Sequence, residues 1–401
     1  MAESQPAGNN EAHLTDQRRQ AQSIFISVLD RRSRCCFVSA VYHHNESFTE
    51  HDVTYDSAAS AQGELAKRMD FNSVFFSRFP VFLIATIVVG NPGNEPTKSS
   101  HPHPTGVTTP GVQRPMADLH PEAIFAVEGK PDWLVVTGDA VWVTSSNVNH
   151  VVRLDPVANL TTLIVNIDKP CSGLASGFGS VWVPSCGAHA LLRVDSKTGK
   201  IVARIVAGPA DSEGGVTTGD GSVWIATSKK GLLARIDSET NKLVATIKIP
   251  SGSYVPAFAE GAIWITSTEH NLLTRVDPKF NRVVASIPIG PQPRFLTAGA
   301  GSVWTLNQED GTISRVDIAT NRLVATIPAG IAGPGGEIAF GEGSIWATLF
   351  GFPISRIDPA SNAVVQQWVG KGGDSIRIGH GSVWLSNLAK GTVWRLNPRQ
   401  P

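Results

Sequence analysis

Apolar residues in the last two-thirds of the chain come in short runs, and the runs recur. Each centres on a Trp flanked by Val, Ile or Ala and preceded by Gly-Ser or Gly-Ala: Gly179–Trp182, Gly221–Trp224, Gly261–Trp264, Gly301–Trp304, Gly343–Trp346 and Gly381–Trp384, with a degenerate first copy ending at Trp142. Successive Trp lie 40, 42, 40, 40, 42 and 38 residues apart. About eleven residues further on stands an Arg-x-Asp: Arg153/Asp155, Arg193/Asp195, Arg235/Asp237, Arg275/Asp277, Arg315/Asp317 and Arg356/Asp358, with Arg395/Asn397 closing the series. A period of 40–45 residues made of short strands is the mark of propeller blades. Apolar residues on both faces of a strand suit a sheet flanked by two others.

One unit resolves into four strands. Gly173–Ser176 is short and small, as a crowded central channel requires. Gly177–Ser180 turns it back. Val181–Val183, Ala190–Asp195 and Ile201–Val206 follow. The Asp ending the third strand can cap its own turn. Four residues later the successive units carry Gly199, Asn241, Asn281, Asn321 or Asn362, the residue types that tolerate left-handed backbone. The Arg of each Arg-x-Asp recurs in every unit, so it is expected to support the turn.

Seven copies of the second and third strands are present, but the fourth strand follows only the first six. The stretch 122–129 resembles the missing one, and residues 122–129 are therefore predicted to pair with 391–397. The expected fold is all-β: a seven-bladed propeller of four-stranded blades, 122–401, whose last blade is completed by an N-terminal strand. Closure removes the exposed edges of an open array.

The preceding residues are different. Residues 1–68 are polar and without sustained period, and are expected to be a disordered tail or an extension of a chain that starts at Met69. Residues 69–90 contain the apolar run Phe79–Gly90, too short for a spanning helix and of the length of a secretory-signal centre. Residues 91–121 include a Pro-rich run and read as a linker. His101 and His103 in it are incidental for a flexible tract.

Composition adds exclusions. The 34 basic and 34 acidic side chains cancel, so nothing points to nucleic acid. A membrane partner enters only through an uncleaved signal segment. Four Cys occur without zinc spacing. Cys171 and Cys186 flank a hairpin of the second blade where strand ends lie side by side, so a disulfide is expected. With the signal-like run it implies a periplasmic or secreted protein.

The Lys242–Ile247 string after an Asp-x-x-Thr-Asn turn resembles the YVTN-repeat propellers. The Gly-Ser-Val-Trp and Arg-x-Asp motifs resemble the virginiamycin B lyase-like propellers. The resemblance spans 122–401. It implies a magnesium-assisted elimination opening a cyclic depsipeptide at its ester, by a His and a Glu-x-His group near the starts of first strands. Ten residues before each Trp this chain has Asp132, Ser172, Gly214, Tyr254, Arg294, Gly336 and Asp374, none of them His. Glu213 and Glu337 stand nearby without a Glu-x-His.

The mouth formed by first-strand starts and second-to-third-strand loops is the default ligand site. Its candidate ligand-binding residues are Asp132, Glu213, Tyr254, Arg294 and Asp374. Its candidates for acid–base or metal chemistry are Glu269 and His270, with His150, His189, Glu309 and Asp310 in neighbouring loops. The reading is an exported, monomeric binding or scaffolding module for a small molecule, peptide or protein, with no identified cofactor. A lyase or hydrolase of cyclic esters using a divalent cation such as Mg is the alternative.

Overall fold

The computed structural model describes residues 22–29, 35–42, 84–85, 105–350 and 352–399. The chain divides into two units, 1–98 and 99–401. In the first, Gln22–Leu29 pairs antiparallel with Cys35–Tyr42, and Ile84–Ala85 adds to the latter. A hairpin thus forms within the stretch read as a structureless tail. Both strands are rich in β-branched and aromatic residues, which fit a pleated sheet, and averaging over 68 polar residues concealed them. The rest of the signal-like run lies outside the described residues. No described helix is long and apolar enough to cross a membrane.

The second unit is the ring. Seven antiparallel sheets follow one another, each with its strands in chain order from axis to rim. Blade 4 is typical: Ser253–Ala259, Ala262–Ser267, Leu272–Asp277 and Arg282–Pro288. Blade 7 takes its outer strand from Ala123–Ala126, which pairs with Thr392–Leu396 in the register Thr392↔Ala126 to Arg395↔Ala123. Backbone bonds from Glu122 to Arg395 and from Val127 to Gly391 extend the clasp. Phe125 and Val127 are buried in it, Phe125 5.6 Å from the Trp384 ring.

The repeated Trp are the core. Six of the seven are wholly buried and Trp346 is 2 % exposed. Five donate Nε1–H to the carbonyl of a Gly five residues earlier: Trp182, Trp224, Trp304, Trp346 and Trp384. Trp142 and Trp264 have no such partner, and their fifth preceding residues are Thr137 and Ala259. The glycine also makes room for the next blade. A Cβ on Gly219 would lie 2.0 Å from the Phe258 ring, and one on Gly299 2.1 Å from Phe340.

The Arg of each Arg-x-Asp does more than brace its own turn. In five blades its guanidinium lies over the Trp of the same blade, 4.9 Å from Trp224 for Arg235 and 4.7 Å from Trp304 for Arg315. Five of the seven also reach the turn of the following blade. Arg193 bonds Ser238 O and Asn241 Oδ1 at 2.7 and 3.0 Å, and Arg315 bonds Pro359 O and Asn362 Oδ1 at 2.7 and 2.8 Å. Arg235 meets Asn281, Arg275 meets Asn321, and Arg395 meets Asn159 across the closure. Arg153 faces the turn that carries Gly199 instead of Asn, and turns to Thr162 and Asp139 of its own blade.

Residues 105–121, assigned by composition to the linker, lie on the ring. Gly106 bonds Gly330, and Gln113–Pro115 forms a parallel fifth strand on the rim of blade 6. Buried Gln367 receives it, accepting from Val107 N–H at 2.8 Å. Met116 and Leu119 then pack with Trp346, Ile354, Trp368 and Leu396. Apolar Val107, Val112, Met116 and Leu119, spaced between the prolines, anchor the strap.

Candidate functional site

Seven first strands converge on the axis, and at its mouth end the repeat breaks down. Where the rim carries the same residue in blade after blade, the axis does not: Asp132, Ser172, Gly214, Tyr254, Arg294, Gly336 and Asp374 occupy equivalent places, with Glu213 and Glu337 beside the two glycines. Their backbones are held from the preceding blade. Thr144 donates to Ser172 O at 2.5 Å, Thr266 to Arg294 O at 2.9 Å, and Thr348 to Asp374 O. Each of these hydroxyls stands two residues after its blade's Trp, so the core of one blade sets the floor of the next.

The structure brings all five sequence-nominated ligand residues into this floor. Tyr254 OH donates to Glu213 Oε2 at 2.6 Å, and Arg294 Nη2 donates to the same oxygen at 3.0 Å and also to the tyrosine oxygen. The Glu213–Arg294 pair joins blades 3 and 5 and skips blade 4. On the opposite side Ser172 Oγ donates to Asp132 Oδ2 at 2.8 Å, and Asp374 accepts Gly336 N–H at 3.0 Å.

Arg377, Trp133 and Phe295 were not named by the sequence reading, and Glu337 was noted there only as standing near a first-strand start. Glu337 is buried and paired with Arg377 of blade 7. The Arg377 guanidinium lies 4.6 Å over the Trp133 ring, and Trp133 touches Phe295 of blade 5 at 6.0 Å between centroids. Phe295 also meets Tyr254 edge-on at 6.0 Å, under Arg294. These aromatics and cations fill the axis beneath the mouth. A departure from the repeat was the available signal: Trp133, Phe295 and Arg377 each stand where other blades carry something unlike them.

Electrostatics follows from burial. Desolvation pushes the Glu337 carboxyl up to about 8, against the opposing pull of Arg377, and Asp132's charge adds to it. Burial raises Asp374 as well, with the charges of Asp132 and Glu337 beside it. Glu213 is raised by burial, but the Tyr254 hydroxyl and Arg294 work against that. Burial and the neighbouring Glu213 raise the Tyr254 phenol, so it remains a donor. Burial thus favours the protonated forms of Glu337 and Asp374. Arg294 pairs with Glu213 and Arg377 with Glu337, and the floor mixes both signs while dense in donors and acceptors.

Glu269 and His270 lie elsewhere, in an exposed loop of blade 4. Both meet Ser251 Oγ, Glu269 Oε2 at 2.6 Å and His270 Nε2 at 2.9 Å. Ser251 donates to the carboxylate, and the three side chains tie two loops. Asp310 caps its own loop at Thr312. Among the described residues no group of three His, Cys, Asp or Glu is placed to hold one metal ion. Cys171 and Cys186 are bonded, as expected, with Cα atoms 5.2 Å apart. A cavity of about 540 Å³ opens between blades 2 and 3 at the face away from the mouth. Arg193, Asp220, Arg235 and Asp237 line it, the residues of the turns and inter-blade bonds, and it is a gap in the repeated rim.

Solved structures share this ring. A streptogramin B lyase superposes with a TM-score of 0.57 at 20 % identity, over 68 % of this chain and 96 % of its own. Virginiamycin B lyase from Staphylococcus aureus gives 0.57 at 18 %, over 68 % and 98 %. The fold is virginiamycin B lyase-like. A catalytically inactive variant of the Staphylococcus aureus virginiamycin B lyase, solved with quinupristin, gives 0.54 at 19 %, over 67 % and 94 %. No protein-family profile and no curated protein matches the chain. The virginiamycin B lyase-like ring is therefore common ground, and at these identities the likeness concerns the fold alone.

Proposed function

We propose that this chain is an exported binding module that takes a small polar ligand, neutral overall, on the floor of its mouth. One observation carries the reading: at the mouth end of the axis the blades carry unlike polar and charged residues, and there the side chains meet across blades. Half-buried Asp132, Ser172, Tyr254 and Arg294 offer an acceptor, hydroxyls and a guanidinium toward the opening, over the faces of Phe295 and Trp133. Charges of both signs already paired within the floor disfavour a ligand with net charge. Export rests on the Cys171–Cys186 bond, which persists in oxidising compartments.

Ester opening is the competing reading, supported by the likeness to the streptogramin B lyases in fold. The carboxylates and His of this chain give it no shared ion site among the described residues.

The test is a thermal-shift screen of neutral, cationic and anionic polar compounds and of cyclic depsipeptides, with wild type and Arg294→Ala. Neutral polar compounds are expected to raise the wild-type melting temperature and to leave the variant unmoved. Equal shifts in both proteins would reject the floor as the site. Depsipeptide opening that depends on a divalent ion would replace binding by catalysis.

A further inference from the structure

We propose that the Cys171–Cys186 bond is a redox latch on the mouth floor, so that its reduction loosens the ligand site across a blade boundary. This rests on the floor being the ligand site and supplies its regulation.

Blade 2 has the shortest inner strand of the ring, Ala175–Gly177, where the others run to four or seven residues. Its mouth-side half, 171–174, leaves its own sheet and is carried by its neighbours. Ser172 N–H bonds Ser212 O at 3.0 Å, and Gly173 N–H bonds Glu213 O at 2.6 Å, both in blade 3. Ser172 Oγ holds Asp132 of blade 1. Two residues, Ser172 and Gly173, therefore bond floor residues of two different blades, the Asp132 carboxylate and the Glu213 backbone. What ties them to blade 2 at the mouth end is Cys171: its N–H bonds Pro184 O at 2.8 Å, and its sulfur bonds Cys186.

The disulfide also presses on blade 3 directly. A Cβ on Gly214 would lie 2.7 Å from Cys171 Cβ, so the Glu213–Gly214 backbone runs against the bridge. Cys186 Sγ sits 3.9 Å from Asp211 O, and Asp211 Oδ1 caps the Glu213 amide at 3.0 Å. Glu213 is thus held from both ends of the bridge, and its carboxylate is the common acceptor of Tyr254 and Arg294.

The chemistry balances with a dithiol reductant. One thiolate attacks the half-buried sulfur of Cys186; buried Cys171 leaves as a thiolate and takes a proton. The second thiol of the reductant displaces Cys186. Two electrons and two protons have passed to the protein, and the reductant is left as a disulfide. With the bridge open, 171–174 keeps one backbone bond to its own blade, Cys171 N–H to Pro184 O, beside its bonds to blades 1 and 3.

Hydrogen exchange tests this without any ligand, so failure to find a ligand leaves it standing. Folded full-length protein is compared before and after reduction by tris(2-carboxyethyl)phosphine, and in the Cys171→Ser/Cys186→Ser double variant. Exchange is expected to rise at least several-fold at the Ser172, Gly173, Glu213 and Gly214 amides, while the third strands of blades 4 to 6 keep their protection. A rise confined to 168–173 and 184–188 would overturn the proposal, because the bridge would then serve its own hairpin only. A uniform rise over all seven blades would also overturn it, since the bridge would then act on global stability. Should the double variant fail to fold, the reduced wild type decides alone.

Discussion

The rim and the mouth floor are made of the same residue types and treat them oppositely. On the rim, Asp195, Asp237, Asp317 and Asp358 accept turn hydroxyls or amides in the open, and those hydrogen bonds hold their carboxyls below the usual range. On the floor, burial raises Glu213, Glu337 and Asp374. Arg repeats around the rim, and five of the seven share one task, bridging to the next blade's Asn. Arg294 and Arg377 occur once each and face carboxylates in other blades. Residues that serve assembly recur because every blade boundary needs them. Residues that serve a site need to occur only once, and the ring gathers them at its axis.

The comparison breaks most violently at the rim. Deleting 122–129 removes the outer strand of blade 7 and its buried Phe125 and Val127; the melting temperature is expected to drop by roughly 10 °C or more, or cooperative unfolding to vanish, in a calorimetric scan. Gly219→Ala forces a methyl into the Phe258 ring and should cost about 2–3 kcal/mol by denaturant titration. Arg235→Ala, which severs a bond to the next blade, should cost about 1–2 kcal/mol, and Arg153→Ala less, because Arg153 never makes that bond. Equal losses would mean that the bridge to Asn contributes nothing.

The floor gives the smaller, opposite signature. Glu337 is ordinarily half-protonated at 4.5 and stands at about 8 when folded, so the folded chain binds its proton more tightly. Its contribution is complete at acid pH and is lost as pH climbs from about 4.5 toward 8. Glu213 and Asp374 act in the same sense, and Arg377 and Asp132 face them. Melting temperature should therefore fall by about 2–4 °C between pH 5 and pH 8.5, and Glu337→Gln should flatten part of that slope. Asp237→Asn changes the other end: its depressed carboxyl stabilises above the unfolded value near 3.8 and loses that as pH drops through it.

Most of the ring was legible in the sequence because blade contacts are local and repeated. The Trp spacing, the count of third strands and the missing fourth strand fixed seven blades and a clasp, and the flanking positions of Cys171 and Cys186 fixed their bond. The floor was legible only in part. Counting ten residues back from each Trp located Asp132, Tyr254, Arg294 and Asp374, with Glu213 beside them, but not that Glu213 and Arg294, 81 residues apart, share a bond. Trp133 against Phe295 depends on how wide the closed ring is, which no single blade encodes. The partnership of Arg with Asn was hidden for a similar reason: both were visible as repeats, but they pair between blades, some 46 residues apart. The strap was missed because its four apolar anchors are diluted by Pro.

The filled axis has a practical corollary. Trp133 of blade 1 meets Phe295 of blade 5 across the axis, so whatever docks on the floor must depart by the route it arrived. The Asp-capped turns on the opposite face are then free for tethering, and a molecule fixed to a sensor through them would present every mouth outward with its exchange kinetics intact.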